Sequence, residues 1–195
     1  MRLVSIISLT FLIVFVVAQV VSGRSTKNTE EHGYTVLKKY KDFEVRKYKP
    51  ALFSYTVMKS ETYKSNSGTG FRRLAGYIFG GNENQQKIAM TSPVTMDMDD
   101  SVTMKFKIPE GMKLEDLPKP DNANVKFKAE PEKIVAAIQF GGWSTDEKIE
   151  TYTNKLKSLL DENGIEYKGG FSYLGYNPPY EMANRRNEIV VEISL

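Results

Sequence analysis

The sequence predicts an α+β fold: a distorted, mostly antiparallel β-barrel with two flanking α-helices and a pseudo-repeat of two halves. Three observations carry this. Several short segments alternate apolar and polar residues with period two, the mark of strands with one buried face. Two longer segments instead repeat apolar residues at helical spacing. The order, an extended pair, a helix and two further strands, then occurs a second time without detectable identity between the halves.

The elements follow in order. Phe43 and Val45 alternate with Glu44 and Arg46, and Pro50 to Met58 continues as a more apolar extended run. In the first helix Phe71, Leu74 and Ile78 fall on one face, and Gly80-Gly81 stops it. Val94, Met96 and Met98 alternate with Thr95 and Asp97; after the turn Asp99-Asp100-Ser101, Val102, Met104, Phe106 and Ile108 alternate with Thr103, Lys105 and Lys107. That pattern is a hairpin whose methionines face inward as core filling rather than as thioether ligands. Val125, Phe127 and Ala129 begin the second half, followed by the apolar run Ile134 to Phe140. Ile149, Tyr152, Leu156, Leu159 and Leu160 form the stripe of the second helix, with Ser144 and Glu147 as a capping box and Gly164 at its end. Ile189, Val191 and Ile193 close the chain as a strand. An antiparallel sheet must hide its edges, hence the barrel.

The N-terminus reads as a targeting segment. Arg2 supplies a positive n-region, Phe11 to Ala18 an unbroken apolar run, and Val21-Ser22-Gly23 a site for signal peptidase. Leu3 to Val21 approaches the length of a membrane span, but Ser5, Ser8, Thr10 and Gln19 dilute it. The expectation is a signal peptide over residues 1–23, a disordered lead-in over 24–33, and one domain over 34–195 that is secreted and keeps no stable membrane association.

Composition narrows the chemistry. The 195 residues contain no cysteine, so stability rests on the core, and thiolate catalysis, zinc knuckles and iron–sulfur ligation are excluded. A net charge of +3 without a basic stripe gives no footing for nucleic acid. The single histidine, His32, falls in the expected lead-in, so a Ser-His-Asp triad or an HExxH zinc site lacks its parts. No P-loop or GxGxxG follows a strand. Neither a catalytic residue nor a metal ligand is expected, and the protein reads as a non-enzyme.

Four strings are over-specified for an ordinary core. They are Phe43-Glu44-Val45-Arg46-Lys47-Tyr48; Gly70-Phe71-Arg72-Arg73-Leu74 running on to Lys87-Ile88-Ala89-Met90-Thr91-Ser92-Pro93-Val94; Phe140-Gly141-Gly142-Trp143; and Tyr176-Asn177-Pro178-Pro179-Tyr180 followed by Arg185-Arg186-Asn187-Glu188. In content and order they resemble the SOUL/haem-binding protein family, over about residues 34 to 195. The resemblance implies two helices against a distorted barrel, and haem or another porphyrin bound in a shallow groove beside the first helix. Some members of that family hold the iron through a histidine shortly before this helix, whereas Tyr48 to Gly70 contains none.

The candidate binding residues are Arg72, Arg73, Tyr77, Met90, Tyr180 and Arg185. A guanidinium fork suits porphyrin propionates, and a tyrosine can stack on or ligate a macrocycle. Ordinary readings stand beside these: arginines snorkelling over apolar neighbours, and Tyr77 at the core edge. One of Arg185 and Arg186 is expected to anchor the last strand through Glu44 or Glu188. Two functions remain, a secreted tetrapyrrole carrier or scavenger and a protein- or peptide-interaction module on the same fold.

Overall fold

The computed structural model describes residues 29–58, 62–98 and 101–194. The expected signal peptide and the Asp99-Asp100 turn lie outside them. Nine strands and two helices follow in the order β1 (Tyr34–Lys39), β2 (Glu44–Tyr48), β3 (Ala51–Met58), α1 (Tyr63–Ile78), β4 (Val94–Met98), β5 (Val102–Lys107), β6 (Lys126–Glu130), β7 (Lys133–Gly141), α2 (Asp146–Glu162), β8 (Tyr167–Gly175) and β9 (Arg186–Ile193). All nine strands join one antiparallel sheet in the order β1-β2-β7-β9-β8-β4-β5-β3-β6.

That order explains the curl. Leaving β1 aside, and reading inward from both ends, β2 matches β6, β7 matches β3, β9 matches β5, and β8 meets β4 at the centre. These pairs are the corresponding strands of the two halves, except that β2 and β6 have exchanged places. Only Lys49-Pro50 joins β2 to β3, and only Pro131-Glu132 joins β6 to β7. Three Cα steps span at most about 11 Å, yet each link connects strands near opposite ends of the sheet. The sheet must therefore roll into a half-barrel.

The two faces of the sheet have different chemistry. Val45, Met96, Met104, Phe106, Ala136, Ile138, Ile189 and Val191 project on one side and form the main core with both helices. Met96 and Met104 are directly paired across the hairpin and fully buried, the core role expected of them. α1 contributes Leu74 and Ile78, and α2 contributes Ile149, Leu156 and Leu160. α1 comes close at Gly70, where a Cβ would lie 2.7 Å from Met58 Sδ. The opposite, concave face carries Tyr48, Val135, Ala137, Leu174, Tyr176 and Val190, interleaved with charged groups.

Two local expectations are corrected. The cap of α2 is Thr145, whose hydroxyl accepts from Lys148 N at 3.2 Å. Ser144 is instead occupied with Tyr173 Oη at 2.8 Å and Asn187 Oδ1 at 2.9 Å, which pin the helix entry to β8 and β9. The second correction is His32, which is not outside the fold. It is 9% exposed, its backbone N–H donates to Ser92 O at 2.9 Å, and the Ser92 backbone N–H donates to Glu30 O at 2.8 Å. The segment has few apolar residues; its side chains are held instead by charge and ring packing.

Candidate functional site

The six expected binding residues do not converge. Tyr77 is 1% exposed, its hydroxyl donates to Pro118 O at 3.1 Å and its ring packs against Phe127. Burial pushes its pKa up to about 12. It belongs to the core, as does the half-buried Met90. Arg73 reaches back to β3, donating to Thr56 Oγ1 at 3.3 Å and Val57 O at 3.4 Å. Arg72 stands exposed on the outer row of α1 beside Gly68, with Thr69 Oγ1 at 3.4 Å.

Arg185 and Tyr180 do share a place, the loop between β8 and β9. Arg185 ties this loop together: its Nη1 donates to Pro178 O at 2.8 Å and Glu181 O at 2.6 Å, and its Nη2 to Asn177 O at 3.3 Å. Its guanidinium lies over the Trp143 ring, 4.2 Å from the centroid. Trp143 remains 49% exposed, Tyr180 63% and Met182 56%. The first turn of α1 is fastened to the same corner. Tyr63 N–H donates to Asp146 Oδ1 at 2.7 Å, and the Tyr63 ring meets Tyr173 edge-on at 5.0 Å. Trp143, absent from the expected residues, is the centre of this corner; the signal for it in the sequence is the Gly-Gly before it, where β7 ends and Gly142 turns the chain with a φ of +75°.

The partner arginine, Arg186, takes the structural role. Its Nε and Nη2 donate to Glu188 Oε1 at 3.0 and 2.9 Å. Glu188 is fully buried and its other oxygen accepts from Arg46 Nη1 at 2.8 Å and Tyr176 Oη at 2.9 Å. Burial alone would lower the Arg46 pKa, but the adjacent Glu188 carboxylate turns the shift upward.

A second charged group lines the concave face. Lys105 Nζ lies 2.8 Å from both Asp97 Oδ2 and Glu130 Oε1, and Lys133 Nζ lies 2.9 Å from Glu130 Oε2. Burial would raise the Glu130 pKa; Lys105 and Lys133 outweigh it and hold the carboxyl down to about 2. Between these groups is a cavity of only about 30 Å³, walled by His32, Tyr48, Phe53, Thr95, Lys105, Val135, Ser172, Leu174 and Val190 among others. It is too small for a macrocycle. The Lys49 carbonyl accepts from His32 Nε2 at 2.8 Å, and the ring sits 4.7 Å from Tyr48 and 5.5 Å from Phe53. The imidazole is thus committed on the face opposite the helices. Among the described residues no group of three or more His, Cys, Asp or Glu is placed to hold a metal ion, and no helix is long and apolar enough to cross a membrane.

A porphyrin needs a broad apolar surface and cations for its propionates. The concave cavity fails on volume. The Trp143 corner offers exposed aromatic and thioether surface with a fixed cation beneath the indole.

Comparison with known proteins identifies the family. The model of the family described as SOUL heme-binding protein matches residues 29–192. "Heme-binding protein 2" of Homo sapiens is 33% identical over 156 residues, covering 75% of this chain and 76% of its own. "Heme-binding protein 1" of Xenopus laevis is 27% identical over 155 residues, covering 75% and 81%. The C-terminal domain of EcmrR superposes with a TM-score of 0.61 over 83% of this chain and 98% of its own, at 11% identity. The crystal structure of a hydrolase from Listeria innocua does so at 0.58 over 81% and 94%, at 9% identity. At such identities these two likenesses show the fold alone. The match over nearly the whole described chain, with the exchanged-strand half-barrel and its two helices, makes this protein a member of the SOUL haem-binding protein family.

Proposed function

We propose that this chain is a secreted, non-catalytic carrier of haem or a related porphyrin, held at the corner formed by Trp143, the Asn177–Arg185 loop and the outer row of α1. The observation that supports this most is the Arg185 guanidinium stacked beneath a half-exposed Trp143, flanked by exposed Tyr180 and Met182. A flat apolar ring gains from such a surface at about 25 cal/mol per Å² buried, without an iron bond. Arg72 is the side chain free enough on α1 to meet a propionate, whereas Arg73 is partly spent on β3. Haem iron supplies redox and ligand-exchange chemistry when present; the residues here supply contact, orientation and charge.

Titration of the secreted protein with haemin and with iron-free protoporphyrin tests this. Both pigments should bind with similar affinity, followed by the Soret band and by quenching of Trp143, the one tryptophan. Trp143→Ala should weaken both about tenfold, an aromatic contact of about 1.4 kcal/mol, and Arg72→Ala should weaken both as well. His32→Ala should leave both unchanged. Haemin bound far more tightly than the iron-free ring, or indifference to Trp143→Ala, overturns the assignment. Exposed Trp, Tyr and Met also anchor protein interfaces, so failure of both pigments to bind moves the corner to the interaction-module reading.

A further inference from the structure

The concave face contains a feature that porphyrin binding does not use: its cavity is walled in part by the N-terminal segment, not by the sheet alone. The segment lies extended, bridged in parallel to Ser92 through Glu31, so Glu30 and His32 project to the same side. Glu31 projects the other way, to Arg186 Nη1 at 3.1 Å. Gly33 O accepts from Lys49 N at 3.0 Å and completes the fastening.

The two side chains sit at different depths: His32 is buried against the cavity, whereas Glu30 reaches Lys107 from the rim with its side chain 37% exposed. The Glu30 carboxylate is ion-paired to Lys107 Nζ, and the same oxygen accepts from Glu110 N–H at 2.9 Å. The Lys107 side chain is 4% exposed, and Glu30 is the one carboxylate with which it forms an ion pair among the described residues. Across this face the lysines Lys105, Lys107 and Lys133 are matched by the sheet's own Asp97 and Glu130 plus Glu30 from the segment. Without Glu30 the cluster carries one buried positive charge too many, and a lone buried charge is strongly unfavourable. Two residues on, the His32 ring lies between the rings of Tyr48 and Phe53. Tyr48 Oη is buried there with no hydrogen bond of normal geometry among the described residues.

We propose that the Glu30–Gly33 segment is an autoinhibitory strap, an internal stand-in for a ligand, and that the concave chamber beneath it is a second binding site for small aromatic carboxylates. The Glu30 carboxylate marks where the ligand carboxylate sits, on Lys107 Nζ and the Glu110 amide. The His32 imidazole marks where its ring lies, between Tyr48 and Phe53, with Leu174, Val135 and Val190 as the apolar floor. The outer porphyrin corner is not involved.

The test is calorimetric titration with 2-naphthoate and its uncharged isostere 2-naphthamide. The full chain should bind naphthoate weakly. The double variant Glu30→Gln with His32→Ala should bind it at least ten times more tightly, should discriminate against the amide by a similar factor, and should lose both properties on adding Lys107→Met. Circular dichroism melts establish that each variant is folded at the titration temperature. Should the double variant not be folded, single Glu30→Gln carries the test, with a smaller gain of the same sign. A folded strap variant no tighter than its parent, or equal binding of acid and amide, overturns the proposal. Haemin affinity is expected to be the same in parent and variants, so failure here is separable from failure of the porphyrin reading.

Discussion

His32 is held neutral by its surroundings. Burial lowers its pKa from the ordinary 6.5, the ammonium groups of Lys107 and Lys133 act in the same sense, and the Lys49 carbonyl and Glu130 oppose them without prevailing. The unfolded chain therefore takes up this proton at a higher pH than the folded one, and stability rises with pH where that difference exists. The contribution is complete above about pH 6.5 and is lost as pH falls through the depressed folded value. Urea midpoints measured from pH 7.5 down to about pH 5 should fall more steeply for the parent than for His32→Gln. Above about pH 5 unperturbed carboxyls stay mostly ionised, and Glu30 and Glu130 have lowered pKa values, so they do not confuse the comparison. Parallel curves would mean that the imidazole is hydrated. At the same scale, Tyr77 shows why residue type alone misleads: tyrosine suits a porphyrin, but here its hydroxyl is spent on Pro118.

At the scale of elements, the helices repay the simplest reading. Leu156 and Leu160 are fully buried mid-stripe on α2, and Tyr152 stacks on Phe140 at 4.4 Å. Leu156→Ala should remove transfer energy and open a cavity, about 2–5 kcal/mol in chemical denaturation. Lys155→Ala, one position off the stripe, loses only an exposed ion pair to Asp42 at 3.0 Å, worth less than about 1 kcal/mol. Comparable losses would place the wrong face of α2 against the sheet. β8 is an element that alternation did not announce. Gly169-Gly170 interrupts it, Gly169 has φ of +72°, and its register with β9 shifts between Lys168 and Ser172. A bulge inverts the period-two pattern midway through the strand, so neither half is long enough to read.

For the molecule as a whole, the decisive event is the exchange of β2 and β6 between halves. Arg46 on β2 and Glu188 on β9 come from opposite halves and meet on the concave face, with Tyr176 and Arg186 completing the set. Breaking one side of a buried pair is far more damaging than losing an exposed one. Glu188→Gln should lower unfolding free energy by about 3–5 kcal/mol. Glu192→Gln, which loses a surface pair to Lys168 at 3.1 Å, should change it by less than about 1 kcal/mol. Near-equal midpoints would mean that strand pairing alone holds the halves together.

The sequence by itself determined the fold class, both helices, the β4–β5 hairpin with its inward methionines, and the family. Each is a matter of local period or of contiguous strings, and local period reports directly which side of an element is buried. It did not determine the strand order, because β2 and β3 are adjacent in the chain yet near opposite ends of the sheet, and only the rolled sheet reconciles the two. Nor did it determine the sites. Arg72, Arg73, Tyr77 and Met90 are near in sequence but face solvent, β3 and the core in turn. Trp143 and Arg185 are far apart in sequence and stacked in space. Glu30 and His32, in a polar stretch with no period at all, become ordered only because Lys107, Tyr48 and Phe53 converge on them from three strands, and such a convergence exists only in three dimensions.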